Sequence, residues 1–239
     1  MVNQKKLALL LILTCCTNVR TQDRSSSHTL YEQRIEQTAL TPLDDAGWNK
    51  LGVLYCDLNR YDEAVKAFHE ALKFNPLEPR LTANLGAAYY FIGRYDDAVD
   101  LLEDAVRRDP NLYVAQNNLG QIYLKISRYK EAVKHLKQAR QLGQDNDAGN
   151  DPDLSNNLGF AYARLKRYRE ATTYLTEAIA LKPDFAIAIF NLGLVRLILN
   201  DRSAALEQYA ALKTLDQKLA DKLLSDIYRG RVLTATTER

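Results

Sequence analysis

The chain lacks the cysteines that a disulfide framework would need, since it has three among 239 residues. Cys15 and Cys16 are adjacent near the amino terminus, which leaves Cys56 alone in the body of the chain. Three cysteines cannot supply the set of paired bridges that holds a small secreted domain together. The sequence therefore excludes that class of fold.

The chain also lacks an excess of charge of either sign. It has 32 Lys and Arg residues against 30 Asp and Glu, and Lys5 and Lys6 account for the difference. Nucleic-acid binding depends on excess basic residues that neutralise phosphates. We therefore expect no nucleic-acid partner.

No pattern typical of an active site is present. His28, His69 and His135 lie in separate segments and form no pair of the H-E-x-x-H kind. Cys56 has no histidine close to it in sequence, and there is no G-x-S-x-G, P-loop or dinucleotide-binding pattern. The sequence predicts that the protein is not an enzyme and that it has no cofactor, metal or small-molecule substrate.

Apolar runs long enough to span a membrane are absent as well. The apolar run near the amino terminus covers only Leu7–Leu13. A run this short cannot form a membrane-spanning helix, which needs about 20 residues. A basic start, a short apolar core and small residues are typical of a secretory signal over residues 1–16. The alternatives are a misplaced start codon or an apolar segment buried in the fold.

The end of this segment resembles a bacterial lipoprotein signal, in which a cysteine becomes the lipid-bearing first residue. Leu13, Thr14 and Cys16 fit that pattern, and Cys15 departs from it because a small residue usually precedes the lipidated cysteine. The resemblance implies lipidation at Cys16, with Cys15 as the alternative. It places the protein outside the cytoplasm, in the periplasm or anchored to a membrane of a bacterial envelope.

Residues 17–44 are predicted to be a polar linker that contains one short helix. Residues 17–30 are rich in serine and polar side chains, as expected for a tether. Leu30, Tyr31, Ile35 and Ala39 then form a weak helical stripe that we expect to pack on the segment after it.

An internal repeat organises the rest of the chain. A Leu-Gly pair recurs at Leu51-Gly52, Leu85-Gly86, Leu119-Gly120, Leu158-Gly159 and Leu192-Gly193, with one interval, the third, longer than the other three. A period of this size, about 34 residues, is typical of proteins built by stacking similar units. Apolar residues within each copy recur at helical spacing, so each copy predicts two helices.

The residues of each copy resemble the tetratricopeptide repeat, whose pattern is W-x-x-L-G-x-x-Y, then A-x-x-x-F, then P. The first copy matches throughout, at Trp48, Leu51, Gly52, Tyr55, Ala64, Phe68, Ala71 and Pro76. Copies two to four match in the same register, and copy five has Arg196 in place of the tyrosine. The resemblance implies an all-α, right-handed superhelical solenoid of about five helix pairs.

The predicted repeats cover residues 45–78, 79–112, 113–146, 152–185 and 186–216. An apolar stripe over 217–229 predicts a capping helix, which covers the exposed end of such a stack, and we expect 230–239 to be a disordered tail.

The segment Gly143–Asp153 contains the extra residues that make the third interval between Leu-Gly pairs longer. Its Asp145-x-Asp147 lacks the glycine and glutamate of a calcium-binding loop, so a surface loop is expected.

The repeat resemblance further implies that the first helix of each pair lines a concave groove. The residue before each Leu-Gly pair is an asparagine in copies two to five, namely Asn84, Asn118, Asn157 and Asn191. This series is similar to the asparagine ladder in the repeat domain of O-GlcNAc transferase, although no catalytic domain is present here. An amide both donates and accepts hydrogen bonds, so it can bind a peptide backbone of any sequence.

Amides alone cannot hold a peptide, because a net hydrogen bond contributes about 0.5–1.5 kcal/mol while ordering a residue costs about 1–2 kcal/mol. Apolar anchoring is therefore expected from aromatic groove residues. The remaining predicted groove residues are Asn117, Asn156, Tyr90, Phe91, Gln121, Lys125, Phe160 and Phe190.

The sequence thus predicts a scaffold at the cell envelope that binds an extended peptide or a partner protein in its groove. One alternative is a structural subunit or assembly factor of an envelope complex, of the pilus or secretion type, which docks through the apolar residues of copy five. Another alternative is an accessory subunit of a transferase or protease.

Overall fold

The computed structural model describes residues 32–38, 44–143 and 150–235. The predicted signal segment with Cys15 and Cys16, and residues 144–149 of the predicted loop, lie outside these ranges. The described part is helical and contains no strand. Helix α1 covers residues 32–38. The later helices are α2 (Asp45–Asp57), α3 (Tyr61–Phe74), α4 (Pro79–Phe91), α5 (Tyr95–Arg108), α6 (Tyr113–Lys125), α7 (Tyr129–Gly143), α8 (Pro152–Arg164), α9 (Tyr168–Leu181), α10 (Ala186–Ile198), α11 (Arg202–Leu215) and α12 (Gln217–Ala235).

The all-α fold built of helix pairs is confirmed, and each predicted repeat contains one pair. The last helix differs from the prediction, because α12 continues to Ala235 whereas we expected it to end at residue 229. No proline interrupts this stretch, and an isolated glycine such as Gly230 costs only about 1 kcal/mol inside a helix. The expectation of a disordered tail beginning at 230 is therefore wrong up to residue 235.

The chain separates into two compact units, which we describe one at a time. The amino-terminal unit ends at Ile122 and the carboxy-terminal unit begins at Tyr123. In the amino-terminal unit, Ile35 of α1 packs in one cluster with Leu51, Leu54 and Ala67. The predicted packing of the short helix on the first repeat is therefore present. A second cluster joins Phe68 of the first repeat to residues of α4.

The carboxy-terminal unit follows the same scheme. Helices α8 and α9 pack as a pair, α9 packs on α10, and α10 contacts both α11 and α12. Phe185, at the start of α10, packs with Ala178 of α9 and Ala188. Helix α12 covers the fifth pair through buried Ala220, Leu223 and Ile227. It therefore provides the end cover that a stack of repeats needs.

The glycines of the Leu-Gly pairs lie where two helices approach closely. A Cβ atom on Gly52 would lie 2.5 Å from the Phe68 ring, and one on Gly159 would lie 2.6 Å from Leu175 Cγ. In the fifth repeat the nearest atom belongs to α12, since a Cβ on Gly193 would lie 2.6 Å from Leu223. A larger side chain would hold these helices apart, as the sequence predicted.

The turn inside each pair has one residue in the left-handed region. These residues have φ between 59° and 83°, and they are Asn59, Gly93, Ser127, Lys166 and Asn200. The residue after each of them donates its N–H to a carbonyl in the last turn of the first helix, as Arg60 does to Tyr55 at 2.8 Å. This left-handed C-cap ends the first helix and sets the direction in which the second begins.

Candidate functional site

A repeated side-chain contact fixes the helices that carry the predicted groove residues. In the first four repeats, the arginine directly after the left-handed residue lies over the tyrosine ring of the preceding helix, with 4.4 to 4.7 Å between the guanidinium carbon and the ring centre. The pairs are Arg60 with Tyr55, Arg94 with Tyr89, Arg128 with Tyr123 and Arg167 with Tyr162. We did not predict this contact, although both residues recur in register with the Leu-Gly pairs.

The same arginines bind an acidic residue three positions later. The partners are Glu63, Asp97, Glu131 and Glu170. The hydrogen bond from Arg60 lowers the pKa of Glu63, and that from Arg167 lowers the pKa of Glu170. Each arginine therefore links the end of one helix to the first turn of the next.

The groove asparagines pair with each other across neighbouring repeats. Nδ2 of Asn84 donates to Oδ1 of Asn49 at 2.7 Å. In the other unit, Nδ2 of Asn191 donates to Oδ1 of Asn156 at 3.1 Å. In both cases the residue before a Leu-Gly pair binds the residue two positions before the Leu-Gly pair of the preceding repeat. These amides thus join repeats, a role that the sequence pattern did not reveal.

The pairing is interrupted in the third repeat. Asn118 occupies the donor position, but the corresponding acceptor position in the second repeat is Ala83, which has no side-chain oxygen. Within the part of the chain that the structure describes, the Asn118 side chain makes no hydrogen bond. The adjacent Asn117 has a buried Oδ1 with no donor among the described residues. Two neighbouring amides of α6 therefore retain hydrogen-bonding capacity.

Aromatic side chains of the amino-terminal unit form a cluster that reaches the surface. The rings of Tyr61 and Phe91 are stacked, with 4.7 Å between centroids and 10° between planes. Tyr90 lies against Phe91 and Tyr95, with centroids 5.2 and 5.8 Å apart. Phe91 is 40% exposed, whereas Tyr90 is buried. Phe91 is therefore supported on one face by Tyr61 and still accessible to a ligand.

The carboxy-terminal unit has a related contact with different chemistry. Arg164, which follows its Leu-Gly pair at the same distance as Phe91, lies 4.7 Å from the Tyr129 ring centre. Phe160 is edge-on to Tyr129, at 6.2 Å between centroids. Phe160 is buried, so it offers little surface to a ligand in this conformation.

The predicted site residues fall into two groups by exposure. The first group is exposed or half-buried and consists of Asn84, Asn117, Asn118, Phe91 and Lys125. The second group is buried and consists of Asn156, Asn157, Asn191, Tyr90, Gln121, Phe160 and Phe190. Phe190 is 0% exposed, and Leu194 and Ile198, two of the apolar residues of copy five through which docking was the alternative, are also buried. The accessible groove residues thus belong to the second and third repeats.

The Cys56 thiol is not activated as a nucleophile. Burial, together with the nearby Asp57 carboxylate, raises the pKa of Cys56 to about 12, so the thiol is protonated at neutral pH and a poor nucleophile. The described part of the chain contains no cluster of three or more His, Cys, Asp or Glu side chains suited to a metal ion. No described helix combines the length and apolar character needed to cross a bilayer.

Comparison with protein-family models gives matches to the tetratricopeptide repeat. One model matches residues 111–184. A second matches residues 19–79, 49–113 and 156–220. A search of curated protein sequences gave no match.

Solved structures show the same fold at low sequence identity. MamA from Desulfovibrio magneticus RS-1, residues 41 to the end, is 21% identical, with a TM-score of 0.65 over 73% of this chain and 96% of that one. A second crystal structure of MamA is 24% identical, with a TM-score of 0.61 over 72% and 97%. YrrB, described as a repeat protein of this kind with an unusual peptide-binding site, is 22% identical, with a TM-score of 0.64 over 82% and 97%.

Proposed function

Because this chain belongs to the tetratricopeptide-repeat family, we propose that it is a non-enzymatic scaffold that binds an extended peptide or protein segment. The segment binds on the surface formed by the first helix of each pair, which we call the first-helix surface. The groove residues of the second and third repeats carry this binding. The main support is the pair of amides at Asn117 and Asn118, which lack the inter-repeat partners of their counterparts. The description of YrrB as peptide-binding is consistent with this role.

The two amides supply the polar part of the contact. A side-chain amide can accept from a peptide N–H and donate to a peptide carbonyl, so the pair suits a backbone in extended conformation. A buried acceptor without a donor costs about 1–3 kcal/mol, so a rotation of the Asn117 side chain that brings its buried Oδ1 to a bound peptide N–H would recover part of this cost. The amides of Asn84, Asn156 and Asn191 form hydrogen bonds between neighbouring repeats. We therefore assign these three residues to stabilising the fold and not to binding the peptide.

The exposed ring of Phe91 supplies the apolar part. Tyr61 holds this ring in place by stacking, so little side-chain freedom is lost when a ligand packs against it. Aromatic pairs contribute about 0.5–1.5 kcal/mol beyond the area they bury. We therefore expect the bound segment to carry an aromatic or large aliphatic side chain close to its backbone contact with Asn118.

The experiment is selection of binders from a display library of random short peptides, followed by titration of the best binder by calorimetry. Replacing Asn118 with alanine should weaken binding about five- to tenfold and leave the melting temperature unchanged, because its amide has no partner to lose. The matched control is Asn84→Ala, which should lower the melting temperature through loss of its bond to Asn49.

The aromatic contact is tested in the same titration. Phe91→Ala should weaken binding at least tenfold, whereas Leu77→Ala, which removes a 71% exposed side chain away from the first-helix surface, should have no effect. Unchanged affinity in both Asn118→Ala and Phe91→Ala would contradict the proposed surface.

We also propose that the protein is exported and held in the bacterial envelope by a lipid at Cys16. The support is the sequence of residues 1–16 alone: a basic start, a short apolar core and Thr14-Cys15-Cys16. Cys16→Ser should move the protein from the membrane fraction to the soluble fraction and remove the lipid mass. Loss of the lipid in Cys15→Ser, with Cys16→Ser still lipidated, would assign the anchor to Cys15.

A further inference from the structure

The outer face of α5 carries a row of acidic side chains. Asp96, Asp100 and Glu103 are spaced four and three residues apart, so they lie on one face of the helix, and all three are exposed. Asp96 and Asp100 make no ion pair with any described residue. Their neighbours Asp97 and Asp104 are bound to arginines of the same segment.

The outer face of α7 carries the opposite charge in the same arrangement. Lys130, Lys134 and Lys137 are exposed and have the same spacing of four and three residues. Each lysine occupies the position in the third repeat that the corresponding acidic residue of α5 occupies in the second. None of the three forms a salt bridge within the described residues.

The corresponding positions of the other repeats do not show a row of one charge. They hold Asp62, Lys66 and His69 in the first repeat, Arg169, Thr173 and Thr176 in the fourth, and Ser203, Glu207 and Ala210 in the fifth. Folding therefore does not require three like charges on this face. Like charges four residues apart also destabilise a helix slightly when nothing neutralises them.

We propose that these two faces bind each other between two copies of the chain. The acidic face of α5 (Asp96, Asp100 and Glu103) in one copy lies against the basic face of α7 (Lys130, Lys134 and Lys137) in another. The two rows have equal number, equal spacing and opposite sign, so one register satisfies all three pairs. A second copy is the occupant because every molecule carries both rows.

The association is weak and sensitive to salt. Exposed Lys–carboxylate pairs are individually small contributions to affinity, and complementary charge serves mainly to select and orient the partner. The screening length is about 10 Å at 0.1 M salt and about 3 Å at 1 M. Self-association should therefore be present at low salt and be lost at high salt.

The test is sedimentation equilibrium of the chain over a range of concentrations, at about 0.02 M and about 0.5 M salt. The wild-type chain should self-associate at the lower salt concentration. Its association constant should fall at least about tenfold at the higher salt concentration. A single monomeric species at low salt and high protein concentration would overturn the proposal. So would self-association that does not change with salt.

Charge reversal assigns the two faces. Lys130→Glu, Lys134→Glu and Lys137→Glu combined should leave both rows acidic and abolish self-association. Asp96→Lys, Asp100→Lys and Glu103→Lys combined should leave both rows basic and do the same. Mixing the two variants should restore association, because each row of one then meets an opposite row of the other.

The control variant combines Arg169→Glu, Thr173→Glu and Thr176→Glu on α9, which changes charge at the same positions of another repeat. It should associate as the wild-type chain does. Helical circular dichroism and melting temperature establish that each variant is folded before it is used. Two folded charge-reversal variants that fail to associate when mixed would also overturn the proposal.

Discussion

The guanidinium carbon of Arg60 lies 4.7 Å from the centre of the Tyr55 ring, while its Nε donates to Glu63 at 2.9 Å. One side chain thus joins the last turn of α2 to the first turn of α3. In the fifth repeat, Arg196 and Asp201 occupy the positions of this tyrosine and arginine, and they form an ion pair at 3.5 Å. The two helices of a pair are therefore linked at this place even where the chemistry of the link changes.

Arg60→Ala should destabilise the protein by about 0.5 to 2 kcal/mol, the sum of two kinds of contact. The lost contact with the ring contributes about 0.5–1 kcal/mol, and the exposed ion pairs with Glu63 and Glu32 add less than about 1 kcal/mol. Lys66→Ala, an exposed residue of the same helix, is the control and should change stability by less than about 0.5 kcal/mol. Thermal unfolding followed by circular dichroism gives both values.

The ion-pair part of this difference should depend on pH. Arg60 lowers the pKa of Glu63 in the folded state, so its contribution is complete above the ordinary glutamate pKa of about 4.3. It is lost as the pH falls below that value and through the lowered pKa. A difference between the wild-type chain and Arg60→Ala that grows on acidification would contradict this account.

Lys166→Gly should stabilise the protein. Lys166 has a φ of 62°, in the left-handed region, where a residue with a side chain costs about 1–2 kcal/mol. Glycine removes that cost but has more freedom in the unfolded chain, so a net gain of about 0.5–1 kcal/mol is expected. Lys137→Gly, in the interior of α7, should instead cost about 1 kcal/mol. Denaturant unfolding of the two variants distinguishes the turn position from the helical one.

Gly159→Ala should destabilise the protein by about 1–3 kcal/mol, the usual cost of overpacking. The added methyl group would lie 2.6 Å from Leu175 Cγ and 3.2 Å from the backbone nitrogen of Leu175. Leu175→Ala alone should cost about 2–5 kcal/mol. In the double variant the two costs should not add, because the shortened side chain leaves room for the methyl group. Additive costs in denaturant unfolding would mean that the backbone contact, not the side chain, sets the limit.

The helix pairs could be predicted from the sequence because their packing requires particular residue types at a fixed spacing. A glycine such as Gly52 is needed wherever Phe68 or its counterpart crosses close to the backbone. The end of α12 could not be placed, since neither a proline nor a strong capping signal marks it. Its apolar stripe ends before the helix does.

The roles of the groove asparagines could not be predicted, because an amide that joins two repeats and one that binds a peptide occupy the same sequence position. Asn84 and Asn118 are equivalent in the repeat, yet only Asn84 faces an acceptor in the preceding repeat. The deciding residue is Ala83, one repeat away from Asn118. Such dependence on a neighbour becomes visible only when the packing of the repeats is known.

Asp226→Leu should stabilise the protein by about 1 kcal/mol. Asp226 is 8% exposed, and its Oδ2 has no hydrogen-bond partner among the described residues. Burial raises its pKa, and the charges of Arg229 and Lys222 only partly oppose this. The ionised carboxylate therefore penalises the folded state above that raised pKa, and the penalty disappears as the pH falls through it toward the ordinary aspartate value of about 3.9. The stability gained by Asp226→Leu should accordingly be largest at neutral pH and shrink on acidification, whereas Asp221→Leu on the exposed side of α12 should change stability little at any pH. A gain that is the same at pH 7 and at pH 4 would show that packing alone, without the buried charge, accounts for the difference.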